Sequence, residues 1–255
     1  ELNPQILPTR PTDVWWGRPS KDDHMRTYAI GDIHGQLEML HKAHARIEAD
    51  LTRSPDPDAL IVHLGDLTDR GPDSKGVLDY LIQGQSEGRP WIVIKGNHDR
   101  HLERFVRDGN IHDPRIKSGI SWLNPRMGGD KTLLSYGATA TEDGPFETAQ
   151  AAVDPAHISF IEGLPLWYER GELLFVHAGL RPGIALQEQE EDDILWIRDG
   201  WLDDTRDHGP LVVHGHTALE AATHHGNRVN IDTGAGYFRP LTAACFEGRD
   251  AFVLT

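Results

Sequence analysis

The stretch YAIGDIHGQL, residues 28–37, places an aspartate and a histidine two positions apart at the end of a short apolar run. Glycine on either side of the pair predicts a sharp backbone turn, because glycine reaches conformations that other residues avoid. Asp32 and His34 at this spacing can face one point just beyond a buried strand. The stretch alone leaves open whether that point holds a metal, a substrate or nothing.

Apolar runs and helical patterns alternate through the first hundred residues. The strand-like runs are TYAI (27–30), ALIVHL (59–64) and WIVI (91–94). Helical spacing follows each of them, from Leu37 to Leu51, from Val77 to Ile82, and from about Arg100 to Arg107. Such alternation is typical of βαβ units, so the first part of the chain is predicted to form an α/β layer.

Five more short apolar runs follow in the second half of the chain, with few helical patterns between them. They are LLFV (173–176), LVV (211–213), VNI (229–231), TAACF (242–246) and AFVL (251–254). Strands in such close succession predict a second, largely antiparallel sheet. The expected fold class is therefore α/β, a two-sheet β-sandwich flanked by helices.

The chain divides into an extension and one domain. Residues 1–26 are polar and proline-rich and are expected to form an N-terminal extension, anchored on the domain by Trp15 and Trp16. Residues 27–255 are predicted to form a single domain. Within it, residues 108–165 are rich in Gly and Pro and are expected to be an irregular insertion over one face.

Composition restricts the classes of function. The formal net charge is −15, which disfavours nucleic acid and anionic membranes as partners. No apolar run approaches the roughly 18 residues of a membrane span, and the N-terminus shows no secretory signal pattern. The single cysteine, Cys245, precludes an intrachain disulfide, is interpreted as core filler, and favours a cytoplasmic location.

Polar motifs follow five of the predicted strands at the point where each strand ends. They are GDIHG (31–35), GDLTDRG (65–71), GNHD (96–99), HAG (177–179) and HGHT (214–217). In open α/β sheets the carboxyl ends of the strands form the edge at which ligands bind. Their Asp, Asn and His side chains are oxygen and nitrogen donors without a thiolate, and there are too many of them for one ion. Two metals that share a carboxylate fit this set, and such a pair activates water and clamps a phosphoryl group.

Each motif taken singly is compatible with an ordinary structural role. Asp69 and Arg70 would make a plausible surface ion pair, and His177 would make an ordinary buried core histidine. Five such turns in order, each closing a strand, favour a shared metal site over five independent turns.

The five motifs resemble the signature of the calcineurin-like metallophosphoesterases, and the similarity runs from about residue 26 to 255. The DRG within the second motif resembles the phosphoprotein phosphatase branch, which includes bacterial serine/threonine protein phosphatases and symmetrical diadenosine tetraphosphatases. This resemblance implies the metallophosphoesterase fold, with the metal site at the C-terminal ends of the strands. It also implies two divalent cations, Mn²⁺ in the first place, with Fe, Zn, Mg or Ni as alternatives.

The resemblance implies that six side chains are metal ligands. Asp32 and His34 would bind the first cation, and Asp66 would bridge both. The ligand shell of the second cation would be completed by Asn97, His177 and His216.

The same resemblance implies catalytic and substrate-binding residues. His98 matches the family's histidine that protonates the leaving-group oxygen, and Asp69 matches the carboxylate that orients it and favours its imidazolium form. Arg70, together with Arg198 in ILWIRDG, matches the arginines that hold phosphate. His214 is expected to support the site from behind rather than to bind metal.

The implied reaction is hydrolysis of a phosphate monoester by a hydroxide that bridges the two metals. Phosphoserine or phosphothreonine in proteins is the expected substrate, with phosphotyrosine also considered. One alternative is a dinucleoside tetraphosphate or nucleotide phosphohydrolase with the same dimetal core. Another is an inactive scaffold, which the sequence disfavours because every expected position, including His98, is filled.

Overall fold

The computed structural model describes residues 4–10 and 26–255. Trp15 and Trp16, which we expected to anchor the extension, lie outside these ranges. Two mixed sheets pack face to face, and helices cover their outer faces. This arrangement confirms the two-sheet α/β sandwich that the sequence predicts. No helix within the described ranges is both long and apolar enough to cross a membrane.

The first sheet has five strands in the order β11-β10-β2-β3-β4. Its strands are β2 (Thr27–Ile30), β3 (Leu60–His63), β4 (Trp91–Val93), β10 (Ala243–Glu247) and β11 (Asp250–Val253). The strands β2, β3 and β4 run parallel, because a helix returns the chain to the same end of the sheet after β2 and after β3. β10 pairs with β2 antiparallel, with Cys245 opposite Tyr28.

The second sheet has six strands in the order β1-β8-β9-β7-β6-β5. Its strands are β1 (Gln5–Ile6), β5 (Trp167–Arg170), β6 (Leu173–Val176), β7 (Leu211–His214), β8 (Thr223–His224) and β9 (Arg228–Asn230). Three of its five strand pairs are antiparallel, but the sequence misjudged two features of this sheet. The central strands β6, β7 and β9 run parallel, and the last two strands of the chain complete the first sheet instead.

Seven α-helices occur in the described ranges. They are α1 (Leu37–Arg53), α2 (Ser74–Ser86), α3 (Asn97–Asp108), α4 (Gly129–Ser135), α5 (Glu147–Ala152), α6 (Pro155–Glu162) and α7 (Glu191–Trp196). Helices α4 to α6 lie within residues 108–165, which is therefore less irregular than expected. Helix α3 begins three residues before the predicted start. Its first turn is polar, and Asp99 stabilises it by accepting a hydrogen bond from the Gly96 amide over 2.8 Å.

The core forms on both sides of the first sheet, because successive side chains of a strand point to opposite faces. Tyr28 and Ile30 pack against the helices, while Ala29 faces the second sheet. Between the sheets, Phe175 and Phe246 meet edge to face with ring centroids 6.1 Å apart. Burying each such side chain stabilises the fold by roughly 1.5–3 kcal/mol relative to leaving it exposed. This core fixes the positions of the strand ends.

The N-terminal residues 4–10 contribute one strand to the second sheet and a buried arginine. The Nε of Arg10 lies 2.9 Å from a carboxylate oxygen of Asp50, and its Nη2 lies 2.8 Å from Glu247. The Nη1 of Arg10 donates to the Cys245 sulfur over 2.9 Å. Cys245 is buried, and burial raises the pKa of its thiol, which agrees with its interpretation as a core residue.

Candidate metal centre

The predicted site lies where the carboxyl ends of both sets of parallel strands meet. Strands β2, β3 and β4 deliver the first three motifs, and β6 and β7 deliver HAG and HGHT from the second sheet. The segment after β9 adds Asp232, which the motifs did not predict. Parallel strands place their carboxyl ends on one edge, so the topology explains why distant motifs converge.

The backbone of the site is held in a conformation that most residues avoid. Six non-glycine residues in the described ranges have positive φ, and five of them belong to the motifs. They are His34, Asp66, Asp69, Arg70 and His216, with φ between 48° and 73°. Such residues cluster at functional sites because the surrounding structure has to maintain the strain. The strain therefore supports a functional role for these turns.

Two motif glycines allow the loops to pack in direct contact. A Cβ on Gly96 would lie 2.1 Å from the amide nitrogen of Asp66, and one on Gly215 would lie 2.0 Å from Oδ1 of Asp32. Any side chain at either position would displace a candidate ligand. The two glycines thus allow neighbouring loops to approach each other closely, in addition to any role in turning the chain.

The structure brings four of the predicted metal ligands together with His98 in two overlapping groups. The side-chain donor atoms of His34, Asp66 and His98 lie within 4.8 Å of one another, as do those of Asp66, His177 and His216. Asp66 belongs to both groups, which is the position predicted for a bridging carboxylate. All of these side chains are buried.

Asn97 and Asp32 complete the set. Oδ1 of Asn97 lies 3.0 Å from Nε2 of His177. The Asp32 carboxylate accepts a hydrogen bond from the His216 amide over 3.0 Å, which places it beside the same cluster. The structure thus gathers all six predicted ligands around one centre.

The hydrogen bonds of the histidines fit metal binding. Nδ1 of His34 lies 2.9 Å from the carbonyl oxygen of Thr68, and Nδ1 of His177 lies 2.8 Å from that of Leu64. Since a carbonyl only accepts, each Nδ1 donates to it and leaves Nε2 directed into the site. Burial lowers the pKa of His177, but Asp66, 3.4 Å from its Nε2, raises it to about 9, so a metal bound there would take the place of a proton. Nε2 of His216 is buried without a hydrogen-bond partner in the described ranges. These donors are arranged as metal ligands require.

The buried carboxylates of the site also need a compensating positive charge. Burial and the neighbouring Asp232 raise the pKa of Asp32 well above its ordinary value. Burial alone would raise the pKa of Asp66, but His177, His98 and His34 hold it well below the ordinary range. Several buried carboxylates this close together are stable when cations neutralise them, so the residues fit a divalent metal site.

The predicted catalytic pair forms as expected. Nδ1 of His98 lies 2.6 Å from Oδ2 of Asp69. Burial and Arg70 lower the pKa of His98 to about 3, and burial raises the pKa of Asp69 to about 7. Burial thus opposes the imidazolium form that we expected Asp69 to favour. The Nε2 of His98 points into the site, within 2.9 Å of the Arg70 guanidinium.

Two residues of the insertion complete the surroundings of Asp69, and the motifs gave no sign of them. Nε1 of Trp122 donates to Oδ2 of Asp69 over 2.8 Å, and the Thr132 hydroxyl donates to Oδ1 over 2.6 Å. Both donors lower the pKa of Asp69 and oppose the effect of burial. The insertion therefore supports the catalytic pair directly.

The two predicted arginines lie beside the centre. Nη1 of Arg70 lies 2.7 Å from Nε2 of His34, and the Arg70 guanidinium stacks 4.9 Å from the ring centroid of Tyr237. Arg198 donates to the carbonyl oxygen of His216 over 3.1 Å. His214 belongs to neither group of candidate ligands, and its Nε2 lies 3.2 Å from the Arg228 guanidinium.

The site opens into a cleft of 1220 Å³. Its lining includes seven cationic side chains against four carboxylates, in a protein whose overall formal charge is −15. Trp196 and Tyr237 add aromatic surface. The cationic residues are Arg70, Arg115, Lys117, Arg181, Arg198, Arg206 and Arg239. Such a concentration of positive charge favours an anionic ligand.

Comparison with known proteins agrees with this geometry. The sequence model for the calcineurin-like phosphoesterase family matches residues 25–244. The asymmetrical bis(5'-nucleosyl)-tetraphosphatase PrpE of Anoxybacillus flavithermus is 27% identical, over 84% of this chain and 87% of its own length.

Solved structures show the same fold at lower sequence identity. A protein described as a candidate diadenosine tetraphosphatase superposes with a TM-score of 0.62 and 21% identity, over 92% of this chain and 95% of that one. The cold-active protein-tyrosine phosphatase of a psychrophilic Shewanella species superposes with a TM-score of 0.58 and 15% identity, over 91% and 81%.

Proposed function

The chain belongs to the calcineurin-like phosphoesterase family and is a hydrolase of phosphoester bonds; within that family we propose that it acts on nucleotides that carry a chain of phosphates. The observation that carries this proposal is the cationic cleft. A volume of 1220 Å³ exceeds the roughly 300–1,000 Å³ of most small-molecule pockets. It has room for a ligand much longer than one phosphoryl group, and its charge suits several phosphates.

The curated relatives support the same proposal. The PrpE protein described above is named for hydrolysis of dinucleoside tetraphosphates, and the match covers most of both chains. A dinucleoside polyphosphate combines a phosphate chain with planar bases. The cleft offers cationic residues for the former and the aromatic rings of Trp196 and Tyr237 for the latter.

A phosphomonoester in a protein is the second candidate, and the His98–Asp69 pair favours it. An alkoxide, such as the serine side chain released from phosphoserine, is a poor leaving group that needs a proton from a general acid. His98 is held for such a role by Asp69, which itself accepts hydrogen bonds from Trp122 and Thr132. A phosphate leaving group depends less on this proton.

We propose that the six gathered ligands hold two divalent cations. Asp32 and His34 would bind one, Asp66 would bridge both, and the remaining ligands would hold the other. The proposed metal is Mn²⁺. When bound, a cation pair of this kind lowers the pKa of water and polarises the phosphoryl oxygens. The remaining ligands are Asn97, His177 and His216.

The chain's own residues would orient the substrate and move one proton. Arg70 and Arg198 would pair with phosphoryl oxygens, since a planar guanidinium matches two oxygens at once. His98 would first take up a proton at Nε2, where it now accepts from the Arg70 guanidinium, and then give it to the departing oxygen, while Nδ1 stays bonded to Asp69. The positive charge of the arginines would also stabilise the negative charge that develops on the phosphoryl group in the transition state.

A substrate panel tests the proposal. Purified protein with Mn²⁺ is assayed on diadenosine tetraphosphate, ATP, a phosphoserine peptide, a phosphotyrosine peptide and a cyclic nucleotide. We expect kcat/KM for diadenosine tetraphosphate or ATP to exceed that for either peptide by at least about tenfold. A higher value on a phosphopeptide would establish the second candidate instead. No hydrolysis of any substrate would contradict both and favour a scaffold role.

A further inference from the structure

Most cationic side chains of the cleft are already paired with carboxylates. Lys117 pairs with Asp199 at 2.9 Å and Arg206 with Asp204 at 2.7 Å. Asp193 pairs with Arg181 at 2.7 Å and, more distantly, with Arg115 at 3.8 Å. An anionic ligand has to compete with the carboxylate for each of these side chains, so an arginine without such a partner is the stronger candidate for direct binding.

Three arginines of the cleft have no carboxylate partner among residues 4–10 and 26–255. Two of them, Arg70 and Arg198, are the arginines that we assign to the phosphoryl group under attack. The third is Arg239, which belongs to none of the five motifs. Its Nε is buried and has no hydrogen-bond partner in the described ranges.

The position of Arg239 is fixed by its own loop. Its amide donates to the carbonyl oxygen of Gly234 over 3.2 Å, and its guanidinium packs on the same glycine. A Cβ on Gly234 would lie 2.3 Å from Nη2 of Arg239. Gly234 also has a φ of +86°, which glycine adopts without strain. The guanidinium is thus held at the cleft without using its hydrogen-bonding capacity.

The loop that holds Arg239 also packs against the candidate metal centre. A Cβ on Gly236 would lie 2.5 Å from the His34 ring and 2.9 Å from Cδ of Arg70. Gly234 and Gly236 are two residues apart, which limits their separation to about 7 Å. Arg239 and Arg70 therefore pack against the same short loop, and both line the cleft. A ligand with two or more phosphates can place one phosphate at Arg70 and the next at Arg239.

We propose that Arg239 binds the second phosphate of a polyphosphate chain, next to the phosphoryl group that is hydrolysed. The inference rests on the proposed function in taking this cleft as the substrate site. In a phosphoryl group held by two cations, Arg70 and Arg198, the non-bridging oxygens already have cationic partners, which leaves Arg239 available for the next phosphate. Arg239 would therefore distinguish substrates with two or more phosphates from monoesters, and act on their binding rather than on the chemical step.

Binding measurements with two non-hydrolysable probes test this role. Methylenediphosphonate carries two phosphonates and methylphosphonate carries one. Their affinities for Mn²⁺-loaded protein are measured by calorimetry at a fixed concentration of free Mn²⁺. We expect Arg239→Gln to weaken binding of methylenediphosphonate by about 10- to 100-fold, the loss typical of a charged hydrogen-bonding partner. Binding of methylphosphonate should change by less than about twofold.

Arg206→Gln is the matched control, because it removes the same charge from the same cleft but from an existing ion pair. It should leave the ratio of the two affinities unchanged. Melting temperatures of both variants check that they fold. An equal loss for both probes, no loss for either, or the same selective loss in Arg206→Gln would each overturn the assignment.

This test does not depend on the catalytic panel. If the protein hydrolyses only phosphopeptides, the proposed function fails. The ratio of the two affinities still reports whether Arg239 contacts a second phosphate. If nucleotides are hydrolysed but the ratio does not change in Arg239→Gln, the assignment of Arg239 fails while the proposed function stands.

Discussion

Trp122 donates a hydrogen bond from Nε1 to Oδ2 of Asp69 over 2.8 Å, and the same oxygen lies 2.6 Å from Nδ1 of His98. One carboxylate oxygen thus connects the insertion to the proposed general acid. Because Asp69 is fully buried, the direction of its carboxylate is set by the groups that donate to it. The insertion therefore contacts the proposed catalytic pair through Asp69, in addition to lining the cleft.

Trp122→Phe should reduce turnover while leaving substrate binding intact. The change removes one hydrogen bond to a charged group, worth about 1.5–3 kcal/mol, and keeps most of the ring. We expect kcat on an alkyl phosphate to fall by about tenfold or more with little change in KM. An aryl phosphate should lose less, because its leaving group needs less protonation. Steady-state kinetics on both substrates measure the difference.

Trp201→Phe is the control for this prediction. Trp201 is equally buried, and its Nε1 has no hydrogen-bond partner in the described ranges. Its replacement should leave the ratio of the two kcat values unchanged. A loss of the same size on alkyl and aryl phosphates in Trp122→Phe would show that the tryptophan acts through general packing.

His98→Asn and Asp66→Asn should separate proton transfer from metal binding. His98→Asn removes the proposed acid, so kcat on an alkyl phosphate should fall by about 10²–10⁴-fold while two metal ions stay bound. Asp66→Asn removes the carboxylate shared by both ligand groups, and metal content should fall together with activity. Metal per chain is measured by mass spectrometry after gel filtration. Near wild-type turnover in His98→Asn would refute the assignment of the acid.

Gly215→Ala should disrupt the metal centre although it adds a single methyl group. The new Cβ would lie 2.0 Å from Oδ1 of Asp32, so the carboxylate has to move. We expect a large loss of bound metal. Gly163→Ala is the control, because its φ is −78° and its Cβ would meet its nearest neighbour at 3.4 Å. Full metal content in Gly215→Ala would show that Asp32 is not a ligand.

The predicted metal ligands lie together because the motifs that carry them follow strands of the same direction. Asp32, Asp66 and Asn97 come directly after β2, β3 and β4, and parallel strands bring such positions together whatever the loop lengths. The start of helix α3 was placed too late, because its first turn is polar and shows no helical apolar period. Local periodicity likewise does not show which sheet a late strand joins, so β10 and β11 were misassigned.

Other site residues were beyond the reach of local patterns. Trp122 and Thr132 lie 53 and 63 positions from Asp69, in a segment without a recognisable motif. Arg239 differs from other surface arginines only in lacking a carboxylate partner and in facing the cleft, which are properties of the folded chain. Contacts of this kind follow from packing between elements and leave no spacing rule in the sequence.

His44 and His63 should make the protein less stable in mild acid. They lie away from the metal centre, with their Nε2 atoms 2.9 Å apart and both rings buried. Burial and His63 lower the pKa of His44 to about 2, and burial lowers the pKa of His63 to about 4. Both histidines are thus neutral in the folded state at pH values where the unfolded chain, with an ordinary pKa near 6.5, binds protons.

The sign of the effect follows from this difference in proton binding. Above about pH 6.5 neither state binds these protons, so the pair gives no pH dependence there. Between about pH 6.5 and 4 the unfolded state binds more protons, and the free energy of unfolding falls by about 1.4 kcal/mol per pH unit for each histidine. Below about pH 4 His63 becomes protonated in the folded state too, and its share of the slope disappears.

The double variant His44→Gln, His63→Gln tests this account, because glutamine retains hydrogen bonding but does not titrate. Stability is measured by urea unfolding at several pH values. At pH 8 the double variant should be less stable than wild type, because the packing contacts of the two imidazole rings are lost. Between pH 6.5 and 4 the free energy of unfolding should fall less steeply for the variant than for wild type, with slopes that differ by up to about 2.8 kcal/mol per pH unit. His112→Gln, at an exposed position, should follow the wild-type slope. Parallel slopes for the double variant and wild type would show that this histidine pair does not control acid stability.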